Sequence, residues 1–117
     1  MIAFLSVFIG GGAGASLRYL CSLIFEPYGF FPHLIPNLVG AFLIGFLSLK
    51  IGLFSKELTL LLVVGFLGGF TTFSGYVHFL TQTSLYKGAA YLLLHHIVGI
   101  GLFILGVEVS KLLLKVD

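Results

Sequence analysis

Charged side chains are scarce in this chain. Only four acidic and six basic residues occur among 117, so 9% of the residues are charged, against roughly 25% in a soluble domain. So few charges could not cover the surface of a water-soluble globule of this size. Since 59% of the residues are hydrophobic and the mean hydropathy is +1.19, the composition predicts that lipid surrounds most of the outside. The net charge of +2 is too small to indicate nucleic-acid binding.

Groups that perform enzyme chemistry are also missing. The chain has no phosphate-binding Walker loop, no nucleophile with a nearby base and no paired carboxylates, so we expect it not to be an enzyme. Its single cysteine, Cys21, excludes an intrachain disulfide and lies in an apolar run, where a packing role is expected. Tryptophan is absent, which leaves tyrosine as the interfacial aromatic anchor.

Long apolar runs account for most of the sequence. A spanning helix needs about 20 apolar residues, and turn-forming or charged residues divide the chain into four such runs. The predicted spans are residues 2–25, 34–51, 58–80 and 89–110. The fold class predicted is therefore an all-α membrane protein, with residues 1–117 forming a single four-helix transmembrane domain.

The distribution of basic residues predicts an orientation in the cell membrane. Lys50, Lys56, Lys111 and Lys115 lie on the side of the termini, whereas Lys87, together with Arg18 near the end of the first span, lies on the other. The positive-inside rule then places both termini in the cytoplasm. The bias is modest.

Glycine is abundant for a membrane protein, with 16 residues. Small residues cluster at 10–15, 40–45 and 99–106. Such surfaces allow helix backbones to approach closely in lipid. They predict a tightly packed bundle and an oligomer, because four helices have many faces to cover.

The segment GFLGGFTTFSGY, residues 65–76, lies in the middle of the third span. Adjacent glycines, threonines and serine propagate a helix poorly. Two interpretations remain open: an unbroken helix whose hydroxyls bond back to its own backbone, or a break in the third helix. Such a break would have to be buried in protein, line a watery path or bind an ion.

Aromatic spacing in the same segment favours an anion site. Phe70, Phe73 and Tyr76 recur every three residues beside Thr71, Thr72 and Ser74, so ring edges and hydroxyls can share one face. Ring edges carry positive partial charge. Together with hydroxyl donors they suit a small anion.

Two further polar residues have alternative interpretations. Asn37 in the second span could clasp two helices or line a path. Arg18 could extend its side chain to the interface or supply a positive field for anions. The histidines at 33, 78, 95 and 96 show no i,i+4 pair, so we expect neutral, hydrogen-bonded side chains rather than a metal site. A proton-coupled exporter of similar size would need a carboxylate within a span, and all four acidic residues lie near loops or ends.

Three motifs, GGGAGASLRY at 10–19, NLVGAFLIGFL at 37–47 and GFLGGFTTFS at 65–74, resemble the Fluc (CrcB) family of fluoride channels. The resemblance implies an antiparallel, dual-topology dimer that lets fluoride leave the cytoplasm passively. It also implies a structural sodium ion held between the subunits by the backbone carbonyls of Gly68 and Thr71. With the aromatic interpretation above, the expected fluoride pathway comprises Arg18, Asn37, Phe70, Thr72, Phe73, Ser74, Tyr76, Tyr91 and His95.

This sequence departs from the family pattern along that pathway. Tyr76 replaces a phenylalanine, Gly75 and His33 replace threonines, and His95 and Gly99 follow Tyr91 where serines are common. Two expectations follow from these polar changes. The chain is half of a heterodimer of oppositely oriented subunits, or it forms a homodimer. As an alternative function, it is a non-conducting or partly eroded structural subunit of such a channel.

Overall fold

A computed structural model describes residues 1–114, most of which are helical. Helix α1 spans Ile2–Phe25, α2 Phe31–Ser48, α3 Lys56–Thr59, α4 Gly68–Phe70, α5 Phe73–Gln82 and α6 Leu85–Leu114, and a π-helical segment, Leu60–Leu67, joins α3 to α4. Four stretches are long and apolar enough to cross a membrane: Ile2–Tyr28, Phe31–Ser48, Lys56–Gln82 and Leu85–Leu114. The prediction of an all-α protein with four spans is confirmed.

Local sequence explains where the helices begin and end. Helix α1 covers the predicted 2–25, but α2 covers 31–48 rather than 34–51. Gly29 turns the chain with a φ of 71°, and Pro32 lies in the first turn of α2, where its missing N–H is not needed. Helix α6 extends beyond the predicted 89–110 at both ends. At its start, the backbone carbonyl of Ser84 accepts a hydrogen bond from the N–H of Gly88 at 2.8 Å. Lys115, counted in the orientation above, lies outside the described residues.

Glycines bring the first and third spans into backbone contact. A Cβ at Gly10 or Gly14 would overlap the carbonyl oxygen of Leu61 or Phe66, respectively. From the opposite helix, a Cβ at Gly65 would lie 2.8 Å from the Val7 carbonyl oxygen. The helices can approach this closely only because these positions lack side chains.

The second and fourth spans pack in the same way. A Cβ at Gly45 would overlap the carbonyl oxygen of Phe103, and one at Gly106 would overlap that of Phe42. By contrast, Gly12 and Gly101 have no neighbour within 4 Å of such a Cβ. Close packing through small residues is therefore confirmed for part of each glycine-rich segment.

The third span changes conformation at Thr71 and Thr72. Thr71 has φ −77° and ψ 158°, and Thr72 has φ −143° and ψ 109°, both extended, so α4 ends at Phe70 and α5 begins at Phe73. Backbone groups that would bond along a continuous helix must find other partners here. These two residues position the candidate site.

Candidate functional site

Asn37 and Thr72 form a paired hydrogen bond between the second and third spans. The Asn37 Nδ2 donates to the Thr72 carbonyl at 3.0 Å, and the Thr72 N–H donates to Asn37 Oδ1 at 2.7 Å. The amide side chain thus satisfies both backbone groups of an extended residue. Asn37 follows the buried Pro36 inside α2. The proposed alternatives for Asn37 are not exclusive, because it clasps two helices while facing a groove.

The carbonyls around the extended residues fall into two groups. Arg18 Nε donates to the Gly69 carbonyl at 3.0 Å, and Asn37 donates to that of Thr72. In a continuous helix, the carbonyls of Gly68 and Thr71 would accept hydrogen bonds from the N–H groups of Thr72 and Gly75. The N–H of Thr72 bonds to Asn37 instead, and that of Gly75 bonds to Thr72 Oγ1 at 2.9 Å.

Loss of those helical donors makes Gly68 and Thr71 suitable for a hard cation. Backbone carbonyl oxygens are the ligands that such cations prefer. A Cβ at Gly68 would meet no atom within 4 Å, so space lies beside its backbone. The two residues predicted to hold sodium therefore fit that ion by their donor chemistry.

A groove of about 480 Å³ runs along this region on the surface of the subunit. Most of the predicted site residues line it: Asn37, Gly68, Thr71, Thr72, Phe73, Tyr76 and His95. Phe73 is 78% exposed, and its ring lies 6.0 Å from that of the buried Tyr76. The groove thus combines aromatic rings, hydroxyls and an amide.

An aromatic wall closes one side of the groove. Tyr76 packs against His95 and Tyr91, with ring centroids 4.6 and 5.6 Å apart, and Tyr91 meets His95 edge-on at 5.5 Å. The Nε2 of His95 lies 3.3 Å from Asn37 Nδ2. Among residues 1–114, neither Tyr91 Oη nor His95 Nδ1 has a hydrogen-bond partner, although both atoms are buried.

Four predicted pathway residues lie outside the lining of this groove. Phe70 is buried and stacks on Phe66 at 5.9 Å, because the extended residues turn it away from the face of Phe73. Ser74 Oγ lies 3.3 Å from Thr72 Oγ1, and Arg18 bonds to Gly69. Tyr91 lies behind Tyr76 and lines a second cavity of about 670 Å³ near the first loop.

Sequence reasoning missed one contact next to the site. A Cβ at Gly75 would overlap the imidazole of His33, so the larger residue on α2 occupies space that a glycine on α5 leaves. The sequence does indicate this contact, because the family has threonine at both positions, and here one is replaced by the larger histidine and the other by the smaller glycine. His96, which lines the groove, was likewise not predicted as a site residue.

Comparison with known proteins identifies the family of the chain. The family model described as CrcB-like protein, Camphor Resistance (CrcB), matches residues 5–107. A protein of Chlorobium phaeobacteroides (strain BS1) named fluoride-specific ion channel FluC is 42% identical over 120 residues, covering 94% of each chain. A Haemophilus ducreyi protein of the same name is 39% identical over 118 residues, covering 95% of this chain and 94% of its own.

A third relative, from Staphylococcus saprophyticus, is named fluoride-specific ion channel FluC 2 and is 43% identical over 118 residues, covering 92% of this chain and 95% of its own. The matches extend over all four spans. They link the chain to ion channels and not to an enzyme family. The chain therefore belongs to the Fluc (CrcB) family of fluoride channels, as its three motifs predict.

Proposed function

We propose that this chain is a subunit of a fluoride-selective channel through which fluoride leaves the cytoplasm passively. The observation that carries the proposal is the groove around Asn37, Thr72 and His95, where polar donors and aromatic edges meet within a lipid-facing bundle. The names of the relatives support fluoride as the ion.

Fluoride is small and strongly hydrated, so a pathway must replace its water with donors. The Thr72 hydroxyl and the rings of Phe73 and Tyr76 line the groove and can serve in this way, and the Ser74 hydroxyl lies outside the lining, 3.3 Å from that of Thr72. Arg18, bonded to the Gly69 carbonyl, adds a positive charge close to the extended residues. Cations would instead require oxygen ligands or ring faces.

The functional unit proposed is an antiparallel dimer, in which one subunit has both termini in the cytoplasm and the other has them on the opposite side; in a heterodimer with fixed orientation, this chain is the subunit with cytoplasmic termini. One subunit leaves the groove open and Phe73 largely exposed, which supports a second subunit against this face. Carbonyls of Gly68 and Thr71 from both subunits would hold the sodium ion. Its positive charge would stabilise the interface between the two subunits and offset the negative charge of passing anions.

Fluoride efflux from liposomes tests the proposal. The full chain is reconstituted alone, and efflux is followed with a fluoride electrode, with chloride-loaded vesicles for selectivity. We expect fluoride release that falls in Tyr76→Ile, because the ring edge at the groove is lost, and is unchanged in Phe4→Leu on the lipid-facing surface. Equal chloride and fluoride release would contradict a fluoride-selective channel.

A second candidate function is a non-conducting subunit of a heterodimeric channel. One observation favours it: both Asn37 Nδ2 hydrogens face acceptors within the chain, Thr72 and His95. This candidate predicts no efflux from the chain alone and efflux once an oppositely oriented homologous subunit is added. A conducting homodimer excludes it.

A further inference from the structure

The second cavity, of about 670 Å³, is separate from the groove. It lies where the first loop meets the end of α5 and the start of α6, and it shares no lining residue with the groove. The ring of Tyr76, which lines the groove, lies 5.6 Å from the ring of Tyr91, which lines the cavity. An aromatic layer thus lies between the two spaces, and the cavity belongs to a different surface from the groove.

The cavity is mostly apolar and follows one face of α6. Apart from one glycine, one threonine and one lysine, every residue that lines it is aromatic or aliphatic. On α6 the lining residues are Lys87, Ala90, Tyr91 and Leu94, whose spacing of i, i+3, i+4 and i+7 places them on the same face. At 1.5 Å per residue, the cavity follows the helix for about 10 Å, from the first turn toward the middle of the span.

Positive charge gathers at the end of the cavity next to the loops. Lys87 lies there in the first turn of α6, at the positive end of the helix dipole, and that turn contains no acidic residue. Within residues 1–114, no carboxylate lines the cavity, and the salt bridge that forms joins Lys111 to Glu108. Glu26, two residues before the lining residue Tyr28, is exposed and forms no such pair in this part of the chain. The loop end of the cavity therefore favours an anion.

The depth of the cavity matches the border between lipid headgroups and hydrocarbon. The first membrane-spanning stretch ends at Tyr28, and the fourth begins at Leu85, so Lys87 lies at the level of the headgroups. Tyr28 and Tyr86 line this end and are 63% and 85% exposed, as is typical of interfacial tyrosines. Leu94 lies deeper, where an apolar cavity excludes water and hydrocarbon can fill it.

We propose that this cavity binds a phospholipid with an anionic headgroup, whose phosphate pairs with Lys87 while one acyl chain follows the face of α6 to Leu94. Basic pockets between membrane helices bind anionic headgroups in this way. A zwitterionic headgroup fits less well, because its own cation already offsets the phosphate charge. The inference depends on the four membrane spans and not on fluoride conduction.

Tryptophan fluorescence in vesicles tests the site, because the chain contains no tryptophan and a single introduced one reports on one place. Tyr28→Trp reports from the cavity, and Tyr19→Trp is the matched control, since both tyrosines are 63% exposed and Tyr19 lines neither cavity. The full chain is reconstituted in phosphatidylcholine that contains a small fraction of either brominated phosphatidylglycerol or brominated phosphatidylcholine with the same chains.

We expect brominated phosphatidylglycerol to be enriched about fivefold over brominated phosphatidylcholine around Tyr28→Trp, the factor that corresponds to about 1 kcal/mol for one basic residue beside an anionic lipid. The two lipids should quench Tyr19→Trp equally. Equal quenching of Tyr28→Trp would overturn the inference. Weak quenching of Tyr28→Trp by both lipids would also overturn it, because protein, such as a second copy of the chain, would then cover the cavity.

Charge variants in the Tyr28→Trp protein test the headgroup contact. Lys87→Gln should remove the preference for phosphatidylglycerol, and Lys87→Arg should keep it. Lys56→Gln is the control, since Lys56 is also exposed but does not line the cavity, and it should leave the preference unchanged. A preference that persists in Lys87→Gln would show that the phosphate does not pair with this lysine.

Filling the cavity tests the acyl chain. Ala90→Phe places a ring in the cavity and should also remove the preference, whereas Ala89→Phe, at an exposed neighbouring residue that does not line it, should keep it. A preference that persists in Ala90→Phe would mean that lipid meets the lysine at the surface and does not enter the cavity. Each variant must elute from size exclusion at the wild-type position. Failure of the proposed function would appear only in the fluoride efflux assay, which these measurements do not use.

Discussion

The first and third spans meet in a closed seam, whereas the second, third and fourth spans surround an open groove. In the seam, Gly10, Gly14 and Gly65 bring backbone against backbone and leave no room for a side chain. In the groove, Asn37 bonds to the extended backbone of Thr72, and a cavity of about 480 Å³ remains. The two regions lie on opposite sides of the same helical segment.

The two regions differ in which groups form hydrogen bonds with the backbone N–H and carbonyl groups. Along the seam, helical hydrogen bonds need no side chains, so glycine suffices and the contact is van der Waals packing. Around Thr72, side chains replace the helical bonds, and Gly68 and Thr71 lose their usual donors. The third span is thus closely packed on one side and carries backbone groups without helical partners on the other.

Adding a side chain in the seam between the first and third spans should have the largest effect on folding stability. Gly14→Ala adds a Cβ that overlaps the carbonyl oxygen of Phe66, and backbone on both sides cannot move aside cheaply. We expect the folding stability to fall by about 3 kcal/mol or more, the upper range for overpacking, with loss of the native size-exclusion peak in detergent. Thermal unfolding of the purified protein measures this.

Gly12→Ala is the matched control, because its Cβ would meet nothing within 4 Å on the same helix. It should unfold within a few degrees of the wild type. Equal destabilisation by the two alanines would show that helix propensity or flexibility, and not contact across the seam, decides stability at these positions.

Removing the hydrogen bonds that Asn37 donates in the groove should reduce fluoride efflux more than it reduces folding stability. Asn37→Asp keeps the shape of the side chain but removes the N–H groups that face the Thr72 carbonyl and His95 Nε2. We expect fluoride efflux to fall at least about 100-fold, since two buried acceptors lose their donor and a negative charge enters the path.

Ser48→Ala on the same helix serves as the control for Asn37. Its hydroxyl bonds only to the Gly45 carbonyl of its own turn, at 2.7 Å, and its loss should leave efflux unchanged. Comparable losses in both variants would mean that any polar change in α2 disturbs the channel, and the paired bond to Thr72 would then have no special role.

Sequence reasoning predicted the scaffold better than the contacts of the site. Apolar length and glycine spacing are local signals, so four spans and their close approach at Gly14 or Gly106 could be predicted. Which carbonyls Arg18 and Asn37 would reach depends on how distant spans align. No single-helix pattern contains that information.

The aromatic face illustrates the same limit. A period of three residues relates Phe70, Phe73 and Tyr76 only while one helix continues through them. Extended backbone at Thr71 and Thr72 resets the direction of the side chains, so Phe70 is buried while Phe73 is exposed. Which residues take part in the site stays a prediction from the family motif, and the geometry determines which of them meet.

The smallest effect on stability is expected at Gly75, next in sequence to the groove residue Tyr76. Gly75→Ala brings a Cβ against the His33 imidazole, but a side chain can rotate away where a carbonyl cannot, so about 1 kcal/mol of stability should be lost. Combining it with His33→Thr should restore that loss, giving a coupling energy of about 1 kcal/mol in a double-mutant cycle of chemical unfolding. Gly99→Ala, whose Cβ would make ordinary contact with Leu38 at 3.8 Å, should show no coupling to His33→Thr. Strict additivity of Gly75→Ala and His33→Thr would mean that the two side chains do not compete for the same space, and that this contact between α2 and α5, unlike the seam, tolerates added volume without a compensating change.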